Sequence, residues 1–298
     1  MPSNIGIIDT MMGTRAGTEA KVHNYAPLRQ GQLRDADSQS MNFPAQYMFK
    51  DVPWSDQSRG ATGPVEEPPQ GADLVLPFMD KWGIEIAMIG VSPKNELAQK
   101  ALRRHPDRFV GAFEVDANAG MDGIRLLTEM YETWGIRAVT AFPAGSFPQV
   151  AINDRKMYPI YAKCVELGIP IFCCAGVPGP RVPFAPQRVE LIDEVCYDFP
   201  DLVFVTRHGC EPWEALAVKL MLKWPNLHYS TSAFAPKHYP QAIIDYANTR
   251  GADKIIYAGY FPMGLHIDRI MTEMPHVGFK DEVWPKFLRD NARRVLKL

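Results

Sequence analysis

Short β-branched segments recur along this chain, and a stretch with helical spacing of apolar residues follows each of them. Eight such segments occur, at residues 5–10, 86–91, 109–116, 136–142, 169–174, 202–207, 227–233 and 254–260. Between them, sequences such as GMDGIRLLTEMYETW carry apolar residues three and four positions apart, as amphipathic helices do. Eightfold strand–helix alternation indicates a parallel sheet closed into a barrel rather than an open sheet. We therefore predict an α/β fold, a single-domain (β/α)₈ TIM barrel over residues 1–298.

Composition agrees with one large domain and narrows the choice of partners. Hydrophobic residues make up 46% of the 298 residues and charged residues 22%, so the chain can build a sizeable core. The formal net charge of −2 gives no electrostatic reason to expect nucleic acid or an anionic membrane as a partner. We expect a small-molecule substrate, and a chain that folds alone or as a homodimer.

The cysteines predict a reducing compartment. There are five of them, an odd number without CxxC spacing, and most lie among apolar residues. No apolar run approaches the roughly 20 residues that cross a bilayer, and the N-terminus lacks the basic-then-apolar layout of a signal peptide. We expect a cytoplasmic protein without a membrane span.

Two segments depart from the alternation. Residues 14–72 form a long connection after the first strand, rich in Gly, Pro, Gln and charge, with an aromatic run at 41–49. A connection of this length inside a compact domain is usually either functional or disordered. We interpret it as an excursion over the barrel mouth, with Tyr47 and Phe49 reaching the pocket. Residues 281–298 are predicted to form a closing amphipathic helix on the barrel's side.

The predicted strand ends carry most of the candidate chemistry. Enzymes built on α/β barrels place reactive groups at the C-terminal ends of the strands. In this chain those ends hold Asp9, Met11, Glu114, Asp116, Cys173, Cys174, Arg207, His208, Glu211, Ser230, Thr231, Ser232 and Tyr260.

Four of these strand ends carry motifs that resemble a known family. They read IDTMMG, PIFCCAGVPGP, VTRHGCEPW and KIIYAGYFP, and WPNLHYSTSAF and DNARRVLKL add to the pattern. In order and spacing they are similar to the amidohydrolase-2 type of the amidohydrolase superfamily, whose strands end in Asp-x-His-x-His, His, His-Gly-Gly and Gly-Ser-Asp-Tyr-Pro. The resemblance spans nearly the whole chain. It implies a TIM-barrel hydrolase, or a decarboxylase- or hydratase-type lyase, acting on a small carboxylated or carbonyl-bearing substrate.

The departures from the family pattern fall on its metal ligands. Met11 and Gly13 stand at the two first-strand His positions, Cys174 at the fifth-strand His and Tyr260 at the Asp, which leaves His208. A catalytic zinc normally needs three protein ligands of the His, Cys or carboxylate kind. A thioether suits Cu(I), and glycine has no side chain to offer. We therefore predict a metal-independent enzyme without a cofactor.

Four residues are candidates for catalysis. His208 is the predicted general acid/base, because it lies at the active face of the barrel. Cys174, on the adjacent strand, is either a nucleophile that a protonated His208 activates or a small buried residue filling space. Tyr260 can donate its phenolic hydrogen bond to a substrate oxygen or fill the vacated metal cavity. Asp9 either serves the reaction or caps the turn after its strand.

Substrate-binding candidates surround these four. Arg181 has the planar fork that matches a carboxylate, although an exposed turn arginine is the commoner case. The other predicted binding residues are Met11, Tyr47, Phe49, Phe142, Trp213, Ser232 and His238.

Two other functions remain open from sequence. A degenerate barrel could bind a small molecule without catalysis, and a mouth plugged by Met11, Met12 and Tyr260 would favour that reading over an open polar pocket. A metallohydrolase with a relocated metal site would instead gather Asp9, Cys174, His208 and Glu211.

Overall fold

The fold is built on one parallel sheet of eight strands, β1 to β8, which lie side by side in the order in which they occur along the chain. The structure is a computed structural model that describes residues 1–2, 4–14, 69–179, 182–262 and 265–298. Each strand pairs in parallel with the next one. The strands are β1 Ile7–Met12, β2 Ile84–Gly90, β3 Phe109–Glu114, β4 Ala138–Ala141, β5 Ile171–Cys174, β6 Phe204–Arg207, β7 Leu227–Ser230 and β8 Ile255–Ile256.

Backbone hydrogen bonds between the two ends of the sheet close it. The Thr10 N–H, in β1, donates to the Tyr257 carbonyl at 3.3 Å, just after β8. Gly13 N–H donates to the Phe261 carbonyl at 2.8 Å. The prediction of a (β/α)₈ TIM barrel is confirmed.

Helices follow the strands as the apolar spacing predicts. The Asn95 side chain caps the second helix by accepting from the Ala98 N–H at 3.2 Å, and Gly135 ends the third with a left-handed φ of 56°. In chain order the helices are α1 Ala72–Trp82, α2 Glu96–Arg104, α3 Gly120–Trp134, α4 Tyr158–Leu167, α5 Leu191–Asp198, α6 Glu214–Lys223, α7 Gln241–Tyr246 and α8 Ile267–Glu273.

Alternation along each strand separates two apolar layers. Side chains that point outward pack against the helices and form the larger core. The opposite set fills the inside of the barrel, and we call it the lower lumen: Ile8, Met88, Ala112, Ala138, Phe172, Val205 and Ile256.

The C-terminal helix closes the barrel from below. It runs over residues 283–296, with α-helical Val283–Pro285, π-helical Lys286–Asp290 and α-helical Asn291–Leu296 in succession. Its last segment packs Ala292, Val295 and Leu296 against the lower lumen. The predicted closing helix is therefore present: its first half packs Val283, Trp284, Phe287 and Leu288 into the outer core on the barrel's side, and its last segment lies under the N-terminal ends of the strands.

The last two strands are shorter than the sequence indicates. β8 ends at Ile256 instead of residue 260, because the Tyr257 N–H donates to the Phe287 carbonyl at 3.0 Å and Gly259 N–H to Asp9 Oδ1 at 2.8 Å. β7 ends at Ser230 instead of residue 233.

The base of the long excursion lies at the barrel mouth. The Gly71 N–H donates to the Thr14 carbonyl at 2.7 Å, which joins the two ends of the excursion just beyond β1. Residues 15–68 lie outside the described part of the chain, and with them the 41–49 run, Tyr47 and Phe49.

All five cysteines are free and buried. Among the helices described, none is long and apolar enough to cross a membrane.

Candidate active site at the barrel mouth

Four neighbouring strands end in inward-facing polar side chains just above the lower lumen. Each of these residues follows a lumen residue by two positions and therefore points the same way. We call this set the upper layer: Glu114 of β3, Thr140 of β4, Cys174 of β5 and Arg207 of β6.

Arg207 brings a buried positive charge into the mouth. It is only 8% exposed and pairs in register with Cys174 on the neighbouring strand. Its Nη2 donates to the Met11 thioether sulfur at 2.9 Å. Among the described residues this is the only hydrogen bond of the Arg207 side chain, and no described carboxylate forms an ion pair with it. A guanidinium has five N–H donors, so most of its donors are not used by the described protein.

Glu114 faces the same space from the other side. Its side chain keeps solvent-accessible surface at the mouth although it ends a barrel strand. Burial of the carboxyl among the surrounding groups raises its pKa, against the lowering effect of the Arg207 charge. Gly90, at the end of β2, is also exposed, and a Cβ built there would meet no atom within 4 Å. Met12 packs into the outer core. Among the described residues, none covers Glu114 or Gly90 at the mouth, and Met12 does not plug it.

Three predicted site residues meet beside this opening. The His208 backbone N–H donates to Ser232 Oγ at 3.1 Å, and the same oxygen lies 3.0 Å from His208 Nδ1. The imidazole packs edge-on against the Tyr260 ring, with centroids 5.4 Å apart. Ser232 therefore sets the orientation of the imidazole, which is what a proton-transferring histidine requires.

The backbone around His208 adopts conformations that L-residues rarely occupy. His208, Cys210 and Ala233 have φ values of 65°, 62° and 72°. Gly209 between the first two has φ 92°, and a Cβ there would lie 2.4 Å from the Phe234 ring. Such strain costs of order 1–3 kcal/mol per residue and concentrates at functional sites. The backbone outliers support a functional role for the loops after β6 and β7.

Asp9 lies in the middle of β1, so it does not cap a turn after its strand, and its carboxylate instead bridges β1 and the segment after β8. Its Oδ1 accepts the Met11 N–H at 2.9 Å and the Gly259 N–H at 2.8 Å. Its Oδ2 is buried without a well-formed hydrogen bond, with the Tyr257 hydroxyl nearby. Burial raises the pKa of Asp9 to about 7, against the lowering effect of the Gly259 and Met11 N–H groups.

Cys174 lies in the upper layer and is 3% exposed. Burial raises the pKa of its thiol to about 12, even though the neighbouring Arg207 charge lowers it. The two residues predicted to interact, Cys174 and His208, share no hydrogen bond, and Nδ1 of the histidine contacts Ser232 instead. At neutral pH Cys174 is a thiol, which favours its interpretation as a small buried residue; its role in catalysis stays a prediction.

Three further predicted binding residues lie on the segments that follow β4, β6 and β7. Phe142, after β4, is half-buried and packs over Gly145. Trp213, just before α6, stacks against Phe184 with ring centroids 5.7 Å apart. His238 is exposed on the loop after β7. Arg181 lies outside the described residues, as do Tyr47 and Phe49.

The site also contains groups to which the sequence reading gave no role. The sequence pattern predicts Arg207 and Glu114 only as strand ends, and it assigns nothing to Thr140. Side chains two positions apart on a strand face the same way, so the inward-facing Val205, Ala112 and Ala138 predict that Arg207, Glu114 and Thr140 face the mouth.

The described donor groups at the mouth do not fit a divalent metal. In the part of the chain that the structure describes, no three His, Cys, Asp or Glu side chains gather closely enough to hold one, so the relocated site is not assembled. Met11, at a family ligand position, instead contacts the Arg207 guanidinium. A fixed cation repels a divalent ion in a buried site.

A closed eight-stranded barrel with polar groups at its strand ends defines the class of TIM-barrel enzymes. The amidohydrolase family model matches residues 79–298, well over half of the chain. The chain belongs to the amidohydrolase family. The resemblance stated from the motifs is thus confirmed, and family and fold support an enzyme of the amidohydrolase superfamily.

Solved structures share the fold over nearly full length. An uncharacterized TIM-barrel protein from Bordetella bronchiseptica is 22% identical, with a TM-score of 0.72 and coverage of 98% of this chain and 99% of that one. The 5-carboxyvanillate decarboxylase of Novosphingobium aromaticivorans, solved with bound manganese, is 15% identical (TM-score 0.65; 99% and 98% covered). The 4-oxalomesaconate hydratase of Rhodopseudomonas palustris is 19% identical (TM-score 0.56; 98% and 95% covered). Comparison with curated proteins gave no match.

Proposed function

We propose that this protein is a metal-independent enzyme of the amidohydrolase superfamily that acts on a small carboxylated substrate at the barrel mouth. The reaction is a decarboxylation or hydration, or else a hydrolysis. The observation that carries the proposal is the arrangement of His208, which Ser232 orients and Tyr260 contacts, at the barrel mouth that also contains the Arg207 charge. Structural relatives that are a decarboxylase and a hydratase support the choice of reaction classes.

His208 holds and moves the proton in each of these reactions. Because Nδ1 contacts Ser232, the proton transfer is assigned to the other ring nitrogen, Nε2. In a decarboxylation the bond to the carboxylate carbon breaks, CO₂ leaves, and the electron pair left on the substrate carbon takes a proton from Nε2. In a hydration or hydrolysis Nε2 takes a proton from the attacking water. Such a group contributes roughly 10²- to 10⁴-fold in rate.

Tyr260 supplies a neutral hydrogen-bond donor beside the imidazole. It stands at the position where the family pattern has Asp, and a phenol can donate to a negatively charged substrate oxygen where an ionised carboxylate cannot. Its edge-on contact with His208 places the two groups on one side of the mouth. Tyr260→Phe should therefore lower turnover while leaving the barrel folded.

Metal independence is tested on the purified protein. We expect well under one equivalent of Zn, Mn or Fe per chain by mass spectrometry, and neither chelator treatment nor added Mn²⁺ should change the melting temperature or any turnover. A stoichiometric divalent ion near His208 would contradict this part of the proposal.

The catalytic part is tested by offering the enzyme a panel of small carboxylic acids. Substrate loss and CO₂ release are followed by NMR, with the His208→Asn protein as the matched blank. Turnover that requires His208 supports the enzyme. An acid that binds the mouth and is never converted, by wild type or variant, would favour a non-catalytic binding protein.

A further inference from the structure

We propose that two buried side chains outside the mouth, Tyr229 and Gln187, are positioning residues that hold His208 in place for proton transfer. They act on residues 208–211, the turn that carries the imidazole, which we call the histidine turn. The inference rests on the proposed function, because it takes His208 as the proton-transferring group. It adds the residues that keep this group in place besides Ser232.

The histidine turn has a backbone that does not hold its shape by itself. Its first three residues, His208, Gly209 and Cys210, all have positive φ, at 65°, 92° and 62°. Such conformations persist only where the surrounding structure over-determines them. If the φ of Cys210 relaxed to a negative value, the peptide plane before it would rotate and carry the Gly209 carbonyl with it. A group that fixes this carbonyl therefore fixes the strained turn.

Tyr229 is the side chain that binds the Gly209 carbonyl. It lies in β7, is 1% exposed within the outer core, and donates its hydroxyl to that carbonyl at 3.1 Å. Gly209 directly follows His208, so a rotation of its carbonyl moves the imidazole relative to Ser232. Phenylalanine at this position would keep the packed ring and lose only the hydrogen bond, which makes the contact testable on its own.

Gln187 fixes the far end of the histidine turn through Gly176. It is 1% exposed, its carbonyl accepts the Gly176 N–H at 2.8 Å, and its Nε2 donates to the Gly176 carbonyl at 2.7 Å. Gly176 packs directly on the turn, because a Cβ there would lie 2.7 Å from the Cys210 carbonyl carbon and 2.8 Å from Glu211 N. The next N–H, of Val177, donates to the Glu211 carbonyl at 2.7 Å.

Neither residue acts from the barrel interior. Tyr229 belongs to the outer core, and Gln187 joins the segments after β4 and β5, since its Oε1 also accepts the Ala144 N–H at 3.3 Å. Their loss should therefore misplace the proton-transferring group and leave substrate binding in the mouth nearly unchanged. Misplacement by about 1 Å can cost as much as 10²-fold in rate.

The first test needs no substrate. In full-length protein labelled with ¹⁵N-histidine, NMR at pH 8 resolves the Nδ1 and Nε2 signals of His208, which are assigned by their absence in His208→Asn. The wild type should show one dominant tautomer, because Nδ1 contacts Ser232. Tyr229→Phe and Gln187→Met should move both signals towards those of a histidine that exchanges freely between its tautomers.

The second test is the split between kcat and KM on any substrate that the enzyme converts. Each single variant should lower kcat about tenfold and leave KM within about twofold of wild type. The double variant should lose less than the product of the two single losses, because both residues act through one turn. A residue that only stabilises the fold would change the melting temperature without this pattern.

Tyr161→Phe and Gln149→Met are the matched controls. Tyr161 is also buried, and its hydroxyl donates to the Ile152 carbonyl at 2.6 Å, so the variant loses the same kind of bond away from the histidine turn. Gln149 donates to two carbonyls in the segments after β4 and β5 but not to Gly176. Both controls should lower the melting temperature while keeping the wild-type His208 signals and kcat.

Folded Tyr229→Phe and Gln187→Met proteins with wild-type His208 signals would overturn the positioning role. Controls that disturb these signals equally would overturn it as well, since the cause would then be a general loss of stability. Tyr229→Phe, which keeps the whole ring, still decides if Gln187→Met does not fold. The proposed function fails separately: full turnover by His208→Asn refutes it, whereas turnover that requires His208 together with an intact kcat in Tyr229→Phe refutes only the positioning role.

Discussion

The two halves of the barrel interior differ in chemistry although the same strands build both. Below, the lumen is filled with apolar side chains and sealed by the C-terminal helix. Two residues further along β3 to β6 the inward positions become Glu114, Thr140, Cys174 and Arg207. The apolar residues that stabilise the barrel and the polar residues of the candidate site therefore lie only about two residues apart along each strand, which is roughly 7 Å.

Two histidines, one in the lower half of the barrel and one at the mouth, show how different the surroundings of a side chain are in the two halves. His228 of β7 pairs in register with Val205 in the lower half, is 3% exposed, and its Nδ1 is buried without a hydrogen bond. Burial lowers its pKa to about 3, helped by the positive charges of Lys254 and Arg294. His208, at the mouth, is half-buried with Nδ1 at Ser232. The first stays neutral inside the fold, while the second lies at the mouth, where the proposed reaction takes place.

The largest expected effect comes from His208→Asn. Turnover of any substrate found should fall by about 10³-fold, because the proton-transferring group is lost. The melting temperature should hardly change, since the residue lies at the mouth. The exposed His276→Asn serves as the control and should keep wild-type turnover. Full turnover by His208→Asn would remove the functional contrast between the two histidines.

His228→Gln should change acid stability rather than activity. The folded pKa of about 3 lies below the ordinary 6.5, so the unfolded chain binds more protons and the wild-type free energy of unfolding falls as the pH drops below 6.5. Between pH 7 and 5 the wild type should lose about 2 kcal/mol relative to the variant. Urea unfolding measures this, with a substitution of the exposed His276, His276→Gln, as the control. Parallel pH curves for wild type and His228→Gln would disprove burial of a neutral imidazole.

Asp9→Asn should give a smaller slope of the opposite sign. The folded pKa of about 7 lies above the ordinary 3.8, so the folded chain holds an extra proton, and this stability is lost as the pH rises through 7. Between pH 6 and 8 the wild type should lose about 1 kcal/mol relative to the variant. Asp193→Asn is the control, because its lysine-paired carboxyl has a lowered pKa and titrates below this window. An unchanged slope in Asp9→Asn would mean that Asp9 is ionised throughout.

The smallest effect is expected for Cys174→Ser. A thiol with a pKa of about 12 is not a thiolate at neutral pH, so turnover should stay within about tenfold of wild type, or roughly 1.4 kcal/mol of barrier. Iodoacetamide should leave Cys174 unlabelled in the folded protein, and Cys196→Ser should behave alike. A loss of turnover by several orders of magnitude, together with labelling of Cys174, would identify Cys174 as the nucleophile and add it to the catalytic residues of the upper layer.

Much of the scaffold could be predicted from local patterns. Eight apolar strand segments with intervening helical spacing were enough to predict the barrel, and the motif around His208 placed it at the active face. Strand ends were less predictable. β8 stops at Ile256 because of backbone hydrogen bonds to Asp9 and Phe287, which are distant in sequence.

The sequence by itself determined the barrel and the family, and it predicted the departures from the family's metal-ligand pattern, because these depend on residue type, period and order along one chain. Only the tertiary structure decided that Arg207 contacts Met11 across 196 positions, that Glu114 faces the same opening, and that Ser232 orients His208. Such pairings depend on which strands become neighbours when the sheet closes. Burial decided the rest, since the pKa values of Cys174 and of the other buried groups follow from the surrounding protein and not from the residues next to them in sequence.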